Sequence, residues 1–156
     1  MSDKTKMLRN ITLSEYVKRR NGVPLGASGS MKNMLRRSFG AGYFYLFWQY
    51  WNPIWGYYLS RYVMKPVSQF FPRWFAIICT FAVSGAIHDL AVSLVKWQLI
   101  IFFTPWFILM GIMVVISYKF KISYSLYDKR IRMTINLMII VSNLILTRLF
   151  LHLWEF

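Results

Sequence analysis

Three stretches, residues 74–95, 99–118 and 134–153, are almost wholly apolar, and in all three together only Asp89 and Arg148 carry a formal charge. A helix needs about 20 apolar residues to cross a hydrocarbon core. It can do so because it satisfies its own backbone groups where no water is present. The pattern predicts an all-α fold, a polytopic membrane helical bundle of about three transmembrane helices. Composition agrees: 57% of the residues are hydrophobic and 19% aromatic, with a mean hydropathy of +0.42, above the apolar share usual in soluble domains. The net charge of +14 would suggest nucleic acid in a soluble chain. Beside such apolar runs it points instead to anionic lipid headgroups as partners, with no nucleic acid.

Residues 1–38 hold nine basic and two acidic side chains. Leu8, Ile11, Leu13, Tyr16 and Val17 give a weak helical stripe, and this segment is expected to lie at the interface. Asn21-Gly22 reads as a turn and the run from Gly26 to Ser30 as a flexible linker. There is no apolar core followed by a small-residue cleavage site, so no cleavable signal is expected. The membrane domain is expected over residues 39–156.

Residues 39–64 are crowded with aromatic side chains. Asn52-Pro53 interrupts them, and a residue before proline avoids helical geometry while Asn before Pro suits a helix start. Two short helices broken at Trp51-Asn52 are predicted, as a re-entrant or interfacial pair. If they do not cross, the twelve basic residues of 1–73 and the five of 119–132 share one side. If they do cross, those residues are split. The positive-inside rule favours the first arrangement. It implies a cytoplasmic N-terminus, in a bacterial inner membrane or, in a eukaryote, an endoplasmic-reticulum membrane.

Thr80, Ser84 and His88 recur at intervals of four and share a helical face. Gly85 and Ala86 beside them admit a close neighbour. Ionisable groups at membrane depth usually face a cavity or the bundle interior. His88 is a candidate general base, since imidazole titrates near neutral pH. It also reads as a neutral ring satisfying a helix–helix hydrogen bond, and periodicity alone favours that second reading. Asp89 points about 100° away from His88 on a helix and lines up with Ser93 and Lys96, so a structural or pocket-edge role is expected for it. Asn52 is a helix cap that could also hydrogen-bond a thioester or hydroxyl oxygen. Trp48 and Trp51 around it read first as packing. Asn136 and Asn143 are expected to bond between helices, and Arg148 and His152 to sit at the membrane edge. Cys79 is the only cysteine and reads as a small hydrophobe. Metal ligands are too few for a metal centre.

The order Phe47-Trp48-Gln49-Tyr50-Trp51-Asn52, then Tyr57-Tyr58 with Arg61 and Lys65-Pro66, then Ser84-Gly85-Ala86-Ile87-His88-Asp89, resembles the membrane-bound O-acyltransferase family. It is most similar to the wax-synthase-like and bacterial branches, over residues 39–95. The resemblance implies the C-terminal catalytic part of that family in a short or truncated form. It implies acyl transfer from a thioester, acyl-CoA or an acyl carrier protein, to a hydroxyl acceptor, with no tightly bound cofactor. Through it His88 is the general base, Asn52 its polar support, and Ser84, Thr80, Trp51 and Trp48 line the substrate cavity. The chain is far shorter than the family's usual members, so a homo-oligomer or a partner membrane subunit is expected to complete the enclosure. Two other readings stand beside the enzyme: a non-catalytic accessory or assembly subunit on the same scaffold, and a pore or transporter component.

Overall fold

The structure, a computed structural model, describes residues 11–154, with side chains to residue 153. Among the described residues every regular element is helical. Leu8 of the expected amphipathic stripe lies outside them. Helix α1 (Leu13–Asn21) opens on a capping box, in which the Thr12 hydroxyl accepts from the Glu15 N–H while the Glu15 carboxylate accepts from the Thr12 N–H. It ends at Gly22, at the expected turn. Helix α2 (Ser30–Phe39) begins where the small-residue stretch stops.

The aromatic segment breaks at the predicted place. Helix α3 (Phe44–Tyr50) ends with Trp51 in extended conformation, and α4 (Pro53–Leu59) begins with Asn52 as its cap. Asn52 has φ 39°, a left-handed conformation that asparagine tolerates better than most residues. The second helix does not stop near residue 64. It widens into a π-helical turn, Ser60–Met64, and continues as α5 (Lys65–Phe70). Pro66 has no N–H to give the Tyr62 carbonyl, and its ring crowds that carbonyl. The wider turn lets the Lys65 N–H bond Ser60 instead, and the helix carries on.

Helices α6 (Arg73–Lys96) and α8 (Lys129–Trp154) have 24 and 26 residues, and both are long and apolar enough to cross a membrane. The expected helix over 99–118 is different. Helix α7 (Phe103–Lys119) has 17 residues, about 26 Å at 1.5 Å per residue. Residues 97–102 are not helical, because α6 holds them in another geometry. The Ser93 hydroxyl accepts from the Ile100 N–H at 2.9 Å. The Asp89 carboxylate accepts from the N–H groups of Phe102, Phe103 and Thr104 at 2.7–2.8 Å and from the Thr104 hydroxyl at 2.6 Å. Those are the otherwise unpaired donors of a helix start, so α7 begins at Phe103, and Pro105 falls in its first turn, where proline suits a helix. Gly85 makes the approach possible: a Cβ there would stand 2.7 Å from the Phe103 carbonyl oxygen.

The core forms where α3 meets α7. Phe44, Phe47, Met110 and Val114 are buried together with Ala41, and Trp48, Trp51 and Phe81 pack around them. Along α8 the polarity is inverted relative to a soluble helix. Asn136, Asn143 and Thr147 are at most 4% exposed, while Met138 is 64% and Leu153 74% exposed. Asn136 donates to the carbonyls of Phe39 and Ala41 and accepts from the Tyr124 hydroxyl. Asn143 departs from the expected interhelical bond: its amide turns back to the Ile139 carbonyl of its own helix.

Candidate functional site

A cavity of about 530 Å³ lies between the aromatic helices and α6, and Thr80, Ser84 and His88 line it along one face of α6. Trp48, Trp51 and Asn52 line it from the α3–α4 break. The six residues singled out from the sequence therefore meet at one hollow.

Ser84 organises this hollow. Its hydroxyl accepts from the Trp55 indole N–H at 3.0 Å, tying α4 to α6. Its carbonyl lies 2.7 Å from His88 Nδ1. A carbonyl only accepts, so Nδ1 carries the proton and Nε2 keeps a free lone pair. The ring lies against Phe107 and Phe103, with centroids 5.1 and 5.7 Å away. It is nevertheless exposed, on the rim of the cavity and not sealed in helix packing. The Thr80 hydroxyl donates to Ala76 at 2.6 Å, which leaves its oxygen able to accept.

Asn52 Oδ1 caps α4 by accepting from the Trp55 N–H at 3.3 Å. Its amide NH2 has no hydrogen-bond partner among the described residues. Trp48 packs edge-on to Phe81 at 5.0 Å, and its indole N–H is shielded and without a partner among the described residues. Trp51 stacks on Phe47 at 5.6 Å. Arg148 and His152 do not line the cavity.

Sequence reasoning missed the part played by α1. Tyr16 and Arg20 line the cavity, Tyr16 packs on Tyr57 at 5.5 Å, and Arg20 donates to the side chain of Gln49. Arg73, at the start of α6, also lines it, with its guanidinium 5.2 Å from the centre of the Tyr118 ring. No local pattern announces such contacts, because each joins residues far apart in the chain. Trp55 was readable only in retrospect, as the third residue after a capping Asn.

Comparison of the chain with family models, with curated proteins and with solved structures gives no match.

Proposed function

We propose that this chain is a membrane-embedded O-acyltransferase in which His88 is the general base. The observation that carries the reading is the contact of Nδ1 with the Ser84 carbonyl: it keeps the proton of a neutral ring on Nδ1, so Nε2 is the basic atom on the rim of a largely apolar cavity. An acceptor hydroxyl gives its proton to Nε2 as its oxygen attacks the thioester carbonyl. The carbonyl oxygen gathers negative charge, which the Asn52 amide is free to meet as a donor. The tetrahedral species collapses, the carbon–sulfur bond breaks, and the thiolate leaves with the proton held by His88. An ester and a free thiol result. The aromatic walls take the acyl tail and keep water away.

Support for the membrane setting comes from α6 and α8, which are long and apolar enough to cross, with Leu90, Leu94 and Met138 exposed while Ser84, Asp89, Asn136, Asn143 and Thr147 are buried. In this reading α6, α7 and α8 cross, the α3–α5 region stays re-entrant or interfacial, and the N-terminus is cytoplasmic, in a bacterial inner membrane or an endoplasmic-reticulum membrane. His88 and Ala91 are both exposed where they line the cavity. That open rim favours a second copy or a partner subunit as its cover. It also favours, as the second reading, an accessory subunit whose cavity serves another chain.

The test is thiol release from acyl-CoA by the full chain in lipid nanodiscs, with long-chain alcohols as acceptors. His88→Gln is expected to lower turnover by about 10²–10⁴-fold, the usual contribution of a general base, and Asn52→Ala by less. Unchanged turnover in a folded His88→Gln protein rejects the enzyme reading. Turnover absent from the wild type alone, but present in a complex pulled from membranes and insensitive to His88→Gln, selects the accessory reading.

A further inference from the structure

A second cleft, of about 540 Å³, lies where the end of α2, the start of α3 and the first turn of α8 meet. Four cations line it: Arg36 and Arg37 from α2, Lys129 and Arg132 from α8. No carboxylate does. Of the described acids, Glu15 is held in the α1 capping box and Asp89 at the start of α7. Asp128 precedes Lys129 in the chain but is not among the lining residues.

The frame that holds these charges is rigid. The Tyr124 N–H donates to the Gly42 carbonyl at 2.9 Å, and the Tyr124 hydroxyl donates to Asn136 Oδ1 at 2.5 Å. Asn136 in turn donates to Phe39 and Ala41 at 2.8 and 3.0 Å. A Cβ on Gly42 would lie 2.7 Å from Ser125 Cα, so the α2–α3 and α7–α8 loops are in backbone contact. The backbone segments that carry the cations are thereby tied to one another. Arg37 sits over the Tyr50 ring at 4.8 Å, and one Arg36 nitrogen donates to Asn33 at 2.8 Å. Arg132 Nε is shielded from solvent and has no hydrogen-bond partner among the described residues.

Like charges crowded around one cleft raise each other's energy, and an anion there relieves all of them at once. A phosphate suits three guanidinium groups, because their fixed N–H forks match its oxygens. Tyr43 and Ser125, which also line the cleft, add hydroxyl donors. We propose that this cleft is a phosphate-ester site. The surroundings favour a lipid headgroup as the source: Ile131, Met133, Leu137 and Met138 on α8 beside it are apolar and exposed, a surface for an acyl tail. The site is separate from the His88 cavity and stands whether or not that cavity catalyses acyl transfer.

Two arms distinguish the sources. In the first, the full chain is reconstituted in phosphatidylcholine nanodiscs containing phosphatidic acid, extracted in neutral detergent, and retained lipid is read by native mass spectrometry. In the second, inorganic pyrophosphate is titrated into the detergent-solubilised chain by calorimetry. We expect phosphatidic acid to be retained selectively. Arg36→Gln with Lys129→Gln, both at exposed positions, should weaken binding roughly ten-fold or more, the scale of losing charge-assisted contacts. Lys119→Gln with Lys121→Gln removes the same charge outside the cleft and should change binding less than about two-fold. Pyrophosphate binding that needs Arg36 and Lys129, without lipid retention, upholds the site and assigns it to a soluble phosphate ester. Equal losses from the two double variants, or no loss from either, overturn the proposal.

Discussion

Two neighbouring residues of α6, His88 and Asp89, do different work because one helical step separates their directions. His88 turns to the cavity and Asp89 to α7. The carboxylate there receives four hydrogen bonds, three from backbone N–H groups that a helix start leaves unpaired. Asp89→Asn keeps the shape but removes the charge and places an NH2 against donors. It is expected to destabilise the fold by at least about 2 kcal/mol, read as a lowered melting temperature in detergent with faster amide exchange in the first turn of α7. Ser84→Ala should act differently. The His88 bond to the Ser84 carbonyl survives, whereas the Trp55 indole loses its acceptor. A cost of about 1 kcal/mol, with the His88 tautomer unchanged by nitrogen-15 NMR, is the expected result. At this scale the sequence was readable where residue type and periodicity agree, as with Thr80, Ser84 and His88. It was unreadable for Arg20 and Arg73, whose roles depend on which helices meet.

Among the elements, the ends were harder to read than the interiors. The Asn52-Pro53 break was legible because both residues restrict their own backbone. The start of α7 was not, because its cap comes from Asp89, thirteen residues back from Phe102 on another helix. Pro66 ends no helix, since a π-helical turn absorbs it. Helix α1, by contrast, carries its own cap. Hydrogen bonds from the Thr12 N–H and then from its hydroxyl hold the Glu15 carboxyl below its ordinary range, with Arg19 adding to the effect. A depressed folded pKa gives a stabilisation present above the ordinary carboxylate value and lost as pH falls through the lowered one. Exchange protection in α1, corrected for intrinsic rates, is therefore expected to hold at neutral pH and fall below about pH 4. Thr12→Ala should lower it at neutral pH and flatten that dependence. A wild-type α1 whose protection ignores pH would remove the capping box from the account.

On the scale of the whole molecule, the proposed membrane setting raises the question of which helices would cross. The π-turn joins α4 to α5, making an unbroken helical run over residues 53–70, long enough at 1.5 Å per residue to reach about 27 Å. Length alone would allow it to span. Arg61 and Lys65 argue otherwise, because they sit in the middle of that run, where each charge costs about 2.5–3.5 kcal/mol on insertion scales. Arg61 also receives support suited to an interface: it donates to the Tyr57 hydroxyl at 2.7 Å while remaining exposed. The non-helical residues 97–102 pose the converse problem, since irregular backbone at membrane depth must find partners inside the protein. Asp89 and Ser93 supply them, so a short α7 can still complete a crossing that α6 begins. With α6, α7 and α8 crossing and the run over 53–70 not, residues 71 and 121 share the N-terminal side and residue 97 lies opposite. In a Cys79→Ser background, single cysteines at Ser28, Phe71 and Lys121 are expected to react with a membrane-impermeant maleimide from one side of sealed vesicles of known orientation, and one at Trp97 from the other. Labelling of Trp97 from the same side as Ser28, with Phe71 and Lys121 on the other, would mean that the 53–70 helix spans after all.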